Sequence, residues 1–274
     1  MMREKLKRNS AGALLAMGVI STVLGFVASS LTAADAPALK LTDKLLGYWR
    51  FDENSVGSFA DSSGNCAVSI PNEQYCQNLL TMIPGKVGKA VAYDGSGNNW
   101  GETIPVNSKA LSGKIDDFCM AFWIQPLSWN TDKAANEEPG RWGKNEFIRK
   151  GHSFMVVLNK DDNETAGDLQ FMIYKPNWHQ RSASYRLPLK QWTFVVWNFK
   201  AKEGGQLFIN GKAVGSVVGE ADDVIPAGPD DIGLGRTTSN MAIDEFALWG
   251  RTLSEAEVAD LYNDGKGKAI IPAP

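Results

Sequence analysis

Along most of this chain, apolar residues recur at every second position or in short runs, separated by clusters rich in Gly, Asn, Asp and Pro. Segments 45–52, 90–94, 117–125, 146–150, 154–159, 168–174, 191–200, 206–209, 213–218, 232–234 and 242–249 are rich in β-branched or aromatic residues. Such composition between turn residues predicts strands, and their close succession predicts an all-β antiparallel sandwich. Asn210-Gly211, set between two apolar alternations, supplies the two positive φ angles of a two-residue hairpin turn. In 191–199, Trp192, Phe194 and Val196 alternate with Thr193, Val195 and Trp197, so both faces are apolar. That strand is expected to be covered on both sides or to carry part of a concave surface.

The period changes near the C-terminus. Ser254 and Glu257 form an S-x-x-E capping box, with Leu253 and Val258 placed as a hydrophobic staple. Val258, Leu261 and Tyr262 then share one helical face and Gly265 ends the pattern, which predicts a short closing helix.

Before the strands, a basic and polar decapeptide precedes apolar or small residues 11–31, and L-T-A-A-D-A-P-A follows. Thr32 and Ala34 suit a signal-peptidase site after Ala34, giving a signal over 1–34 and a linker over 35–42. An uncleaved anchor is the rival reading, since a run of this length just spans a bilayer. The expected setting is secreted, periplasmic or cell-surface, with no membrane contact once the signal is removed.

Charge narrows the partners further. Residues 1–34 hold Arg3, Lys5, Lys7 and Arg8 against Glu4; taking these from 28 basic and 31 acidic residues leaves 24 against 30, a net of −6. No basic block remains to track phosphates, which argues against nucleic acid. The three cysteines are an odd number for an exported chain. Cys66 and Cys76, in a polar stretch, are expected to close a disulfide loop, whereas Cys119 lies in an apolar strand pattern as a buried thiol.

Several motifs then coincide in order: L-L-G-Y-W-R-F-D-E (45–53), D-S-S-G-N (61–65), G-K-V-G-K-A-V-A-Y-D-G (85–95), D-D-F-C-M-A-F-W-I-Q-P (116–126), Q-W-T-F-V-V-W (191–197), L-F-I-N-G-K (207–212) and the segment 243–262. Together they resemble the laminin G-like, concanavalin A-like jelly-roll family of exported bacterial proteins. The resemblance implies a two-sheet antiparallel jelly-roll sandwich over 43–266, with a short C-terminal helix and a tail over 267–274. It further implies that the first and last strands pair, bringing Asp52 and Glu53 toward Asp244 and Glu245. Calcium at Asp52 and Asp244 is one expectation for such acids; hydrogen bonding of the carboxylates to loop backbone is the other.

Catalysis finds little support in the residues. A retaining glycoside hydrolase needs two carboxylates ~5 Å apart, and consecutive residues of a strand face opposite ways, which separates Asp244 from Glu245. No H-E-x-x-H or G-x-S-x-G motif occurs. A lyase pairing His179 with a tyrosine such as Tyr185 is the remaining enzymatic alternative.

Recognition fits better. Trp49, Trp123, Trp192, Trp197 and Trp249 fall on predicted strands, whereas Trp100, Trp129, Trp142 and Trp178 fall in polar connections. Exposed indoles beside amides and carboxylates suit sugar rings; the bland alternative is that the loops bury them in small satellite cores. The expectation is a non-catalytic module that binds a glycan or an extracellular protein through Trp100, Trp129, Trp142, Trp178 and His179. A structural or adhesive envelope component is the second class.

Overall fold

A computed structural model describes residues 40–71, 79–94, 102–106, 112–128, 144–159, 167–228, 232–236 and 240–272. The signal segment, Cys76, Trp100, Trp129 and Trp142 lie outside the described residues. No helix among the described residues is long and apolar enough to cross a membrane.

Alternating side chains build two antiparallel sheets, as the sequence predicts. The first runs β13 (Lys212–Val218), β12 (Gly204–Ile209), β11 (Thr193–Lys200), β5 (Asp117–Pro126), β15 (Asn240–Trp249), β3 (Lys89–Asp94) and β2 (Leu80–Pro84). β1 (Leu45–Trp49) takes the second half of β15, pairing Trp49 with Phe246, while β3 takes the first half. The second sheet runs β10 (Tyr185–Arg186), β8 (Asp168–Lys175), β7 (Phe154–Asn159), β6 (Lys144–Lys150), β14 (Ile232–Arg236) and β4 (Glu102–Val106). β9 (Asn177–Gln180) also pairs with β8.

Between the sheets, alternate residues of each strand form one buried core, including Phe118, Phe122, Trp197, Phe246, Phe154 and Phe171. Trp197 stacks on Phe171 at 4.9 Å, and its indole donates to the Arg181 carbonyl at 2.9 Å. Cys119 is buried, as expected.

The other face of the first sheet is apolar too, and the chain covers it. Helix α1 (Glu255–Tyr262) lays Val258 and Leu261 on Trp123, Phe194 and Val196. Tyr262 stacks on Trp123 at 5.8 Å. This resolves the two-faced pattern of 191–199: the strand is sandwiched. The capping box is complete and Leu253 is buried with Val258, but the helix stops at Asn263, left-handed at φ 49, before Gly265 is reached. The end of the linker and the tail join this layer. Leu41, Ile270 and Ile271 pack on it, and the Trp249 indole donates to the Leu41 carbonyl at 2.7 Å. Asn210-Gly211 makes the expected hairpin, with φ of 51 and 79.

Candidate functional site

The acids at the seam come first. β15 carries a bulge between Asp244 and Ala247, with Glu245 left-handed at φ 53. The extra residue breaks strand alternation, so Asp244 and Glu245 both turn toward the helix-covered side rather than apart. Asp244 Oδ2 accepts from the amides of Lys86 and Val87 at 2.7 and 2.9 Å, fixing the β2–β3 turn. Glu245 accepts from the Tyr48 hydroxyl. Asp244 is 0% exposed and Glu245 5%, and burial raises their pKa values to about 8 and about 7.

Asp52 Oδ1 accepts from the Lys89 amide at 2.8 Å, and its Oδ2 pairs with Arg50 at 2.5 Å. Gly88 is left-handed at φ 69, and a Cβ there would collide with Asp52. Of the four carboxylate oxygens of Asp52 and Asp244, three are engaged by N–H groups, and Asp244 Oδ1 is buried with no hydrogen-bond partner. Among the described residues, the three carboxylates whose ligand atoms lie within 4.8 Å of one another are Glu220, Asp222 and Asp223. Lys175 and Arg181 already occupy that cluster. At the seam, Asp52 and Asp244 hydrogen-bond to the backbone of the β2–β3 turn.

Cys66 is a free, half-buried thiol that donates to the Leu46 carbonyl at 3.3 Å. Burial, then the neighbouring Asp61, pushes its pKa up to about 12.

Of the predicted recognition residues, Trp178 and His179 are described, and the strand β9 holds both, not a loop. Pairing separates them: Trp178 stands opposite Tyr174 on the outer face of the second sheet, whereas His179 stands opposite the core residue Ile173. Tyr185, on β10, packs against the core.

The outer face around Trp178 has a regular build. One lateral row runs Arg149, Met155, Met172 and Gln180, and the next runs Glu146, Val157 and Gln170. Met155, Val157 and Met172 form a small apolar floor against which Trp178 packs. The Tyr174 ring meets Trp178 edge-on at 5.3 Å, and exposed His152 meets Tyr174 at 4.8 Å. Arg149 lies 5.5 Å from the Trp178 ring centre, a cation–π contact, and pairs with Glu146 at 3.0 Å. Gln180 donates to the Ser184 hydroxyl at 3.0 Å. The surface thus combines half-buried rings with amide, hydroxyl and charged groups. Sequence reasoning singled out Trp178 but missed Tyr174, Arg149 and Gln180, whose shared face depends on the pairing register. Two open hollows of about 480 and 490 Å³ lie elsewhere. One is lined by Asn198, Gln206, Ser216 and Thr252, the other by Leu41, Glu257, Asp260 and Lys268.

Two packed antiparallel sheets with a short C-terminal helix define a jelly-roll β-sandwich. Residues 96–259 match the family model Laminin_G_3, described as the concanavalin A-like lectin/glucanases superfamily, and the chain belongs to that family. Over 91 residues it is 31% identical to adhesion G-protein coupled receptor D1 of Bos taurus, a match that takes in 32% of this chain and 10% of the receptor.

Among solved structures it is similar to the binding domain of Paraclostridial Mosquitocidal Protein 1, at TM-score 0.61 and 18% identity over 82% of this chain and 53% of that one. It is similar to domain 4 of AbnA, an extracellular arabinanase from Geobacillus stearothermophilus solved with arabinotriose, at TM-score 0.54 and 18% identity over 79% and 97% of the two chains. It is also similar to the ligand-binding domain of botulinum neurotoxin serotype D solved with N-acetylneuraminic acid, at TM-score 0.58 and 15% identity over 81% and 51%. Likenesses at this identity establish the fold.

Proposed function

We propose that this chain is an exported, non-catalytic recognition module that binds a glycan on the outer face of its second sheet. The observation that carries the reading is Trp178, half-buried beside Tyr174 and flanked by the Arg149–Glu146 pair and by Gln180. Rings that offer an apolar face, with hydrogen-bonding groups set around them, match the C–H faces and hydroxyls of a sugar. The sugar ligands in two of the similar structures support this ligand class. The likeness to an adhesion receptor supports a second reading, in which a surface protein takes the place of the glycan.

Retention on immobilised polysaccharides tests the proposal. The protein should be held by at least one glycan, and Trp178→Ala should lose that retention while keeping its circular dichroism and melting temperature. Equal retention of the folded variant would remove the site. Incubation with the retained polysaccharide should release neither new reducing ends nor unsaturated products; their appearance would mark an enzyme.

A further inference from the structure

Trp178 is the first of three rings that follow one another across the strands. Tyr174 stands opposite it on β8, and the Tyr174 amide donates to the Ser153 carbonyl at 3.0 Å, which sets the β6–β7 turn and its exposed His152 alongside. Ring centres lie 5.3 Å apart from Trp178 to Tyr174 and 4.8 Å apart from Tyr174 to His152, each step about the length of one sugar residue. The ring planes are inclined at 69° and 66°, the edge-on arrangement that ring quadrupoles favour. The three rings therefore share no plane.

Fixed hydrogen-bonding groups flank them. Arg149 donates from Nε to the Gly151 carbonyl at 3.1 Å and from Nη1 to Glu146 at 3.0 Å. Gln180 donates from Nε2 to the Ser182 carbonyl at 2.7 Å and to the Ser184 hydroxyl at 3.0 Å. Both side chains are held by these bonds, while Arg149 Nη2, Gln180 Oε1 and the Tyr174 hydroxyl have no hydrogen-bond partner among the described residues. A donor, an acceptor and a hydroxyl are thus left for a ligand.

We propose that this face takes a twisted, soluble glycan chain, bound as a run of three residues against Trp178, Tyr174 and His152, and not a flat or crystalline one. The inference rests on the glycan reading and narrows it. A chain whose residues lie in one plane, as in cellulose or chitin, can stack on only one of three rings so inclined. A chain that turns from residue to residue, as α-linked glucans and arabinans do, can present a C–H face to each ring in turn. Its hydroxyls then meet Arg149 Nη2, Gln180 Oε1 and the Tyr174 hydroxyl.

Pull-down of the folded protein on amylose, debranched arabinan, microcrystalline cellulose and β-chitin tests this. Amylose or arabinan should hold the protein, and the two flat polymers should not. Among oligosaccharides of the retained chain, the trisaccharide should bind about tenfold tighter than the monosaccharide. His152→Ala, at an exposed position, and Tyr174→Ala should each lose most of that gain with circular dichroism unchanged; Tyr174→Phe, which keeps the ring, should retain it. Retention on cellulose or chitin that depends on Trp178 would overturn the twisted-chain inference and leave the glycan reading standing. A monosaccharide that binds as tightly as the trisaccharide, or a gain that survives in both alanine variants, would do the same. Folded protein that none of the four polymers holds would remove the glycan reading and this inference together.

Discussion

Burial holds the Asp244 carboxyl up at a pKa of about 8 and Glu245 at about 7; the charges of Glu245 and Asp52 raise Asp244 further, and that of Asp52 raises Glu245. In the unfolded chain both titrate near the ordinary value of about 4. Between those limits the folded protein binds more protons than the unfolded one, so its stability must fall as pH rises from about 4 to about 8, and level off above. Urea unfolding at a series of pH values should show that decline. Asp244→Asn keeps an acceptor for the Lys86 and Val87 amides and removes one of the two titrating groups, so it should make the slope shallower and leave the part due to Glu245; an unchanged slope would place the protons elsewhere. The bulge that brings these residues together has no local signal in I-D-E-F-A-L-W, which reads as an uninterrupted strand. That Asp244 and Glu245 lie where the last strand meets the first was legible, but not that they face the same side.

At the level of elements, what could be read was what is encoded locally. The hairpin follows from two residues and the capped helix from a few, so both appear where the sequence places them. Ser254→Ala removes the side-chain acceptor for the Glu257 amide and should cost about 1 kcal/mol in urea unfolding. Leu261→Ala opens a void under the helix and should cost about 2–5 kcal/mol. If the Leu261 variant is as stable as wild type, the helix is not a sealed part of the core. The strand β9 was not legible, because Lys175-Pro176-Asn177 reads as a turn and four residues are too few to display a period of two. Trp178 therefore looked like a loop residue, and its partners on β6 and β8 could not be chosen without the pairing register.

Across the whole molecule, the two sheets have unequal outer faces. The helix, the end of the linker and the tail seal the first one. The second presents Trp178, Tyr174, Arg149 and Gln180, so recognition is assigned to that side.

Hydrogen exchange with and without a retained glycan tests that assignment most directly. Slowed exchange confined to β6 through β9, and absent in Trp178→Ala, is the expected result. Slowed exchange at α1 or in the hollow beside β12 and β13, with β6 through β9 unchanged, would contradict it.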